Sequence, residues 1–226
     1  MQPSIDTVEA IVKATPPLSS ILKNADWYCA HLDKKGKKAP ELFEEHYDRV
    51  NKNFGLICRE NGLDEIIDNL IADYVRSFFP KSDFIGTCLH VKRLFVHTVV
   101  YHDFGKVNEN FQAHPGKMNN PKFRMTKNHP LKHHHSQLGA YLYVIKHFQE
   151  VFSGLSFLAK EEQRQLLMTI LLFSYPIFRH HASGLKIPDG QGIRFEAEEL
   201  AALKKYLDCY GFQIHPDLAV RSMEPE

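Results

Sequence analysis

Imidazole titrates near neutral pH and binds transition metals strongly, so the chemistry open to this chain turns on which of its 14 histidines converge. Four groups are candidates: His46, His102 followed by Asp103, His135, and the adjacent pair His180 and His181, at intervals of 56, 33 and 45 residues. Five imidazoles and one carboxylate exceed the three or four protein ligands of a single catalytic zinc, so two metals sharing Asp103 as a bridge would be their natural use. Imidazole-rich ligation favours Mn, Fe, Co, Ni or Zn over Mg, which prefers an oxygen shell. On a regular helix the side chains of His180 and His181 would point about 100° apart. The pair could therefore serve two metals, or else sit at a local break, for which Ser183 and Gly184 are suited.

Such a set needs helices that each present one group inward, as in a bundle with a metal site between facing helices. Between Pro40 and Asn61, Phe43, Tyr47, Val50, Phe54 and Ile57 recur every three or four positions, with His46 on the apolar side and Gly62 as the stop. Asp64 to Phe79 repeats the pattern, and Pro80 ends it. Thr87 to Asp103 is β-branched enough to read as strand, but about seventeen residues favour a buried helix, with Gly105 closing it and His102 and Asp103 in its last turn. A further helix opens near His135, and another runs from Gln163 to Phe173, leading to Pro176 and the histidine pair. Phe195 to Leu207 reads as a helix that is first Glu-rich and then Lys-rich, oriented for its dipole. No Gly-rich strand-to-helix motif, hairpin series or internal repeat appears, so the expected fold class is all-α, in one domain over residues 1–226.

Composition narrows the partners. With 28 Lys and Arg against 27 Asp and Glu, the formal net charge of +1 announces no global attraction to nucleic acid or membrane. Locally, Lys117, Lys122, Arg124, Lys127 and Lys132 cluster in a long loop between Ala113 and Lys132. That loop reads either as a solvated surface segment or as a track for a phosphate backbone, with Phe111, Phe123 or Tyr101 available to stack bases. Cys29, Cys58, Cys88 and Cys209 lie far apart with no Cys-x-x-Cys pair, against both a disulfide scaffold and a thiolate zinc site. A reducing cytoplasm is the expected compartment. The longest apolar stretch, Leu166 to Phe178, is broken by Ser174 and Pro176, so neither a signal peptide nor a membrane span is expected.

The string His102-Asp103-Phe104-Gly105-Lys106 followed by Asn110-Phe111-Gln112 resembles the HD superfamily signature, in the form found in the HD nuclease of type I CRISPR-associated systems, the Cas3 HD domain. Cys29-Ala30-His31 with Leu42-Phe43-Glu44-Glu45-His46 resembles that family's opening, His135-Ser136-Gln137-Leu138-Gly139-Ala140 its His-x-x-x-Gly-Ala helix, and His180-His181 with Gly184-Leu185 its paired histidines. The resemblance covers residues 27–185. It implies an HD-superfamily helical bundle and a metal-dependent nuclease acting on single-stranded DNA in antiviral defence. It further implies His46, His102, Asp103, His135, His180 and His181 as metal ligands, with Lys106 near the scissile phosphate. The family usually adds a final Asp from a later helix; here Asp189, Asp208 and Asp217 follow the pair, and none matches its context. The expectation is then a nuclease part truncated before a final helix and a helicase part, since no phosphate-binding helicase motif follows. A CRISPR effector complex and a helicase are the implied protein partners.

In the two-metal reading one metal lowers the pKa of a water, both polarise phosphoryl oxygens, and Lys106 adds a cation against developing charge. Lys106 could instead only complement a helix C-terminus. His31 is a weaker candidate, and His90, His97, His114, His129, His147 and His215 read as structural. Two other functions use the same residues: an HD phosphohydrolase acting on nucleotides or cyclic dinucleotides, and a non-catalytic metal-binding docking module. The first predicts turnover of a mononucleotide and indifference to DNA; the second predicts no hydrolysis at any metal concentration.

Overall fold

The computed structural model describes residues 5–22, 24–32, 39–125, 135–154 and 158–181. Eight helices are described, α1 (Val8–Ala14), α2 (Leu18–Ile21), α3 (Phe43–Glu60), α4 (Leu63–Phe78), α5 (Phe84–Val100), α6 (Glu109–Ala113), α7 (His135–Gly154) and α8 (Lys160–Arg179). One small antiparallel pair, β1 (Cys29–His31) and β2 (Glu41–Leu42), joins them. The all-α expectation holds for the frame, and the five-residue strand pair is an addition too short for a period-2 pattern to reveal.

Amphipathic spacing explains the peripheral helices. Helix α3 buries Phe43, Tyr47, Gly55 and Cys58 while Arg59 and Glu60 face water, and its start is tied by Glu45, whose carboxylate accepts from the Leu42 N–H at 3.3 Å. Helix α4 buries Ile71, Ala72 and Val75. Helix α5 is the central element, burying Val91, Leu94, Val96 and Val100 on several faces. That all-round burial is why its sequence lacks a polar stripe and imitates a strand. Asp83 caps it by accepting from the Gly86 N–H at 3.0 Å.

The fully buried Lys92 of α5 pairs with Asp64 at 2.9 Å and Asp68 at 2.6 Å on α4. Asp64 also accepts from the Val8 N–H of α1 at 2.8 Å, so one ionic knot joins three helices. Glu162, buried at the start of α8, accepts from the Lys81 N–H at 2.8 Å and joins α8 to the α4–α5 connection.

Two expectations about helix ends are corrected. Helix α8 does not stop before Pro176 but runs through it to Arg179. The carbonyl that Pro176 leaves without a helical donor belongs to Leu172, which is exposed. Gly105 does not cap α5, which ends at Val100 with Tyr101 as C-cap; Gly105 lies in a 3-10 turn, Phe104–Lys106. The expected helix Phe195–Leu207 and the candidates Asp189, Asp208 and Asp217 lie outside the described residues, as do Lys127, His129, Lys132 and His215. No described helix is long and apolar enough to cross a membrane.

Candidate metal centre

The centre is built where α5 ends. After Val100 the chain turns through His102 and Asp103 into the 3-10 turn, with the Lys106 N–H donating to the Asp103 carbonyl at 2.9 Å. Phe104 anchors this turn, its ring centroid 4.6 Å from Tyr101, 5.7 Å from Phe43 and 5.6 Å from Tyr47. Phe43 and Tyr47 flank His46 on α3, so packing Phe104 between them carries His46 to the carboxylate of Asp103.

Two glycines admit the third element. A Cβ on Gly105 would collide with the His135 backbone carbonyl, and one on Gly139 would lie 3.2 Å from the His102 oxygen and 3.3 Å from the Tyr101 oxygen. The missing Gly105 side chain is what lets α7 start against the Asp103 turn and bring His135 in, and the absence of one at Gly139 eases the same approach. The fourth contribution comes from the end of α8, where His180 is the C-cap and His181 follows the last helical turn. Helix α8 thus ends at the histidine pair, with the His180 backbone still helical, and Ser183 and Gly184 lie outside the described residues.

The six expected ligands converge. Asp103 Oδ2 lies 3.2 Å from His46 Nε2 and 3.4 Å from His102 Nε2, while Oδ1 lies 3.5 Å from His135 Nε2 and 3.4 Å from His180 Nε2. His181 Nε2 is 2.8 Å from His135 Nε2. Among the described residues the groups able to hold a cation are His46, His102 and Asp103 on one side of the carboxylate, Asp103, His135, His180 and His181 on the other, and His31, Glu41 and His46 at the rim. The histidine pair falls entirely on the second side rather than being split between the two.

The donor set fits divalent cations. His102 and His180 point Nδ1 at the carbonyls of Val99 (2.7 Å) and Ile177 (2.6 Å), contacts that require Nδ1–H and leave Nε2 as a lone pair in the neutral ring. That lone pair faces a carboxylate oxygen. His46 Nε2, His180 Nε2 and Asp103 Oδ1 are buried and make no hydrogen bond among the described residues, which is costly unless a cation satisfies them. The spacing also suits one: two ligand atoms each about 2.1 Å from a cation stand about 3.0–3.4 Å apart at octahedral to tetrahedral angles.

Electrostatics point the same way. Burial alone would raise the Asp103 carboxyl, but wherever a surrounding ring of His102, His135, His180 or His46 carries a proton on the nitrogen facing it, that N–H outweighs burial and holds the carboxyl far below the usual carboxylate range; a cation takes the place of those protons when the rings are neutral. Burial lowers His135 despite the favourable Asp103 charge. Burial and the neighbouring His180 and His135 bring His181 down to about 4. Ionised carboxylate and neutral imidazoles are the forms that bind metals.

Lys106 is buried at the floor of the centre, its Nζ 2.8 Å from Asp103 Oδ2 and donating to the Ala30 carbonyl at 3.3 Å. Its charge is therefore aimed at the Asp103 carboxylate. His31, the weaker candidate, stands at the rim, with Nδ1 2.8 Å from Glu41 Oε2 and Nε2 3.5 Å from Lys106 Nζ. Glu41 was not singled out from sequence; its Oε1 lies 3.4 Å from His46 Nδ1 and 3.0 Å from Arg49. Strand pairing of β1 with β2 sets Glu41 opposite His31, and no spacing along the chain encodes that contact.

Two base-stacking candidates are corrected: Tyr101 and Phe111 are 2% and 3% exposed, packed into the core and against His135. Lys117, Lys122 and Arg124 are exposed, and Phe123 is half-buried. His90, His97 and His147 form a separate network under α5 and α7. In it His97 Nδ1 is 3.2 Å from His147 Nε2, and His147 Nδ1 is 2.9 Å from Glu150.

A protein-family model described as "Cas3, HD domain" matches residues 63–203, more than half of the chain. The matched span includes His102, Asp103, Lys106, His135, His180 and His181, and begins after His46. No curated protein and no solved structure gives a significant match.

Proposed function

The chain belongs to the family of Cas3 HD domains, metal-dependent HD nucleases of CRISPR systems, and from that premise we propose that its Asp103 cluster binds two divalent transition-metal ions and hydrolyses phosphodiester bonds of single-stranded DNA. One observation carries the ligand assignment: the two oxygens of Asp103 face two separate sets of imidazole nitrogens, with buried lone pairs that nothing among the described residues satisfies. In this reading His46 and His102 would hold one ion and His135, His180 and His181 the other, with Asp103 offering one oxygen to each. Cations held there supply Lewis acidity towards a phosphoryl group and acidify water at neutral pH.

The protein's own residues do the positioning. The Val99 and Ile177 carbonyls fix the ring orientation of His102 and His180. Lys106 holds the Asp103 carboxylate from below and keeps a fixed positive charge beside the reacting phosphate. Glu41 Oε1 stands 3.4 Å from the far nitrogen of His46, at the rim. Hydrolysis then adds water across one P–O bond, leaving a phosphate end and a hydroxyl end. A CRISPR effector complex that exposes displaced single-stranded DNA, and a helicase that feeds it, are the partners consistent with this activity.

The test is cleavage of end-labelled single-stranded DNA by metal-stripped protein titrated with Mn, Co, Ni and Mg, alongside a duplex of the same sequence, a mononucleotide phosphodiester and Asp103→Ala. Cleavage of the single strand that requires a transition metal and vanishes in the variant is expected. Turnover of the mononucleotide alone would reassign the chain to small phosphoesters, and metal binding without any hydrolysis would reduce it to a binding module.

A further inference from the structure

We infer that Trp27 and Lys122 form a stacking subsite for a nucleobase of the strand whose phosphodiester reaches the Asp103 centre; this rests on the single-strand nuclease reading above and specifies how the strand would be held. Trp27 is the only tryptophan of the chain. It is 40% exposed although its neighbours Ala25, Tyr28, Cys29 and Ala30 are buried. The indole is buttressed from within: its ring meets Phe123 edge-on at 6.2 Å and 73°, and Phe123 in turn packs on Tyr28 at 4.8 Å. The Lys122 ammonium stands 5.8 Å from the indole centroid and donates to the Asp26 carbonyl at 3.3 Å. A part-exposed aromatic ring with a cation over it is the combination that takes a base and its phosphate without reading sequence.

This platform is rigidly joined to the metal centre. Asn120, buried, donates to the Trp27 carbonyl at 2.7 Å and to Gln112 Oε1 at 3.0 Å, and its own Oδ1 accepts from the Lys122 N–H at 3.1 Å. Gln112, equally buried, donates to the carbonyls of Cys29 and Lys106, both at 2.8 Å, and accepts from the Cys29 N–H at 3.0 Å. Two side-chain amides therefore fix Trp27, Lys122 and the Lys106 turn to one another. From Trp27 to His31 at the rim of the centre is four residues of nearly extended chain, at most about 13 Å. That is about four stacked nucleotides at about 3.4 Å each. Bases paired in a duplex do not offer a face to such a lateral platform, so the subsite would favour single strands.

A single tryptophan makes intrinsic fluorescence a report on this position alone. The full chain is titrated with phosphorothioate-linked oligothymidylate, with an abasic strand carrying the same phosphates, and with a duplex, while anisotropy of labelled strands reads total binding. The expected result is saturable quenching by oligothymidylate, and about ten-fold weaker, unquenched binding of the abasic strand. Trp27→Ala should weaken oligothymidylate by about ten-fold or more, Trp27→Phe should recover most of the loss, and Lys122→Ala should lower the salt dependence of binding. Oligothymidylate binding with unchanged emission, or full affinity in Trp27→Ala, would overturn the subsite while metal-dependent cleavage of single strands left the nuclease reading standing. Absence of both binding and cleavage of single strands by the unaltered protein would remove the nuclease reading and the subsite together.

Discussion

Gly105→Ala tests how the centre is assembled, because it adds one methyl group without touching a ligand side chain. That methyl would overlap the backbone carbonyl, carbonyl carbon and Cα of His135. The obstacle is backbone, so no rotamer change can relieve it, and the start of α7 must retreat. Overpacking of this kind costs typically about 1–3 kcal/mol, which for a domain of this size lowers Tm by about 2–12 °C. The larger effect falls on metal binding. His135 belongs only to the set with His180 and His181, whereas His46 and His102 sit on α3 and at the end of α5. Affinity of the second ion should fall by at least about 10–100-fold, the range seen when the supports of metal ligands are disturbed, while the first ion is held within a few-fold. Calorimetric titration with Mn or Co, read as two stoichiometric steps, distinguishes them. Gly139→Ala is the graded control, since its Cβ would meet carbonyl oxygens at 3.2 and 3.3 Å and needs a shift of only tenths of an ångström. If Gly105→Ala binds two ions with unaltered affinity and Tm, the account of how α7 reaches Asp103 is wrong.

Three further outcomes follow from buried polar groups. Lys92→Ala leaves Asp64 and Asp68 facing each other without their shared cation; a loss of about 3 kcal/mol in urea denaturation is expected, with Lys92→Met recovering part of it, and a loss below about 1 kcal/mol would show the knot to be dispensable. Gln112→Leu strands the Cys29 N–H and carbonyl, the Lys106 carbonyl and the Asn120 amide. It should cost at least about 3 kcal/mol and weaken metal binding through Lys106, so an effect on stability with no change in metal affinity would break the proposed link. Burial and the nearby Arg93 push His90 down to about 4, below the about 6.5 of an unfolded imidazole. Its contribution is therefore complete above about pH 6.5 and is lost as pH falls towards about 4, by up to about 3 kcal/mol. His90→Gln should flatten the decline in urea midpoint between pH 7 and pH 5 measured in chelator, and an unchanged slope would acquit His90.

Much of the candidate site was legible along the chain because its parts ride on helices whose apolar spacing is regular. His46 falls among Phe43, Tyr47 and Val50, His135 opens a run ending near Phe148, and His180 and His181 end another; each could be placed on its element before any contact was known. Imidazole and carboxylate are also scarce enough as apolar-face residues for their convergence to be suspected. What could not be read locally was the work done by residues that matter through a neighbour distant in sequence. Gly105 resembles a helix stop and is instead the gap that admits His135. Glu41 is one acidic residue among many until β2 pairs with β1, and Tyr101 and Phe111 look available for stacking until α5 and α6 bury them.

Sequence by itself determined the helical frame and the residue types that the candidate site brings together, since periodic apolar residues dictate which face of a helix turns inward whatever it packs against. Tertiary structure alone decided that Asp103 divides its two oxygens between two histidine sets, that the histidine pair sits together on one side, and that Trp27 faces water. Those properties depend on helix-end geometry and on the close approach of backbones far apart in the chain, and neither has a periodic signature.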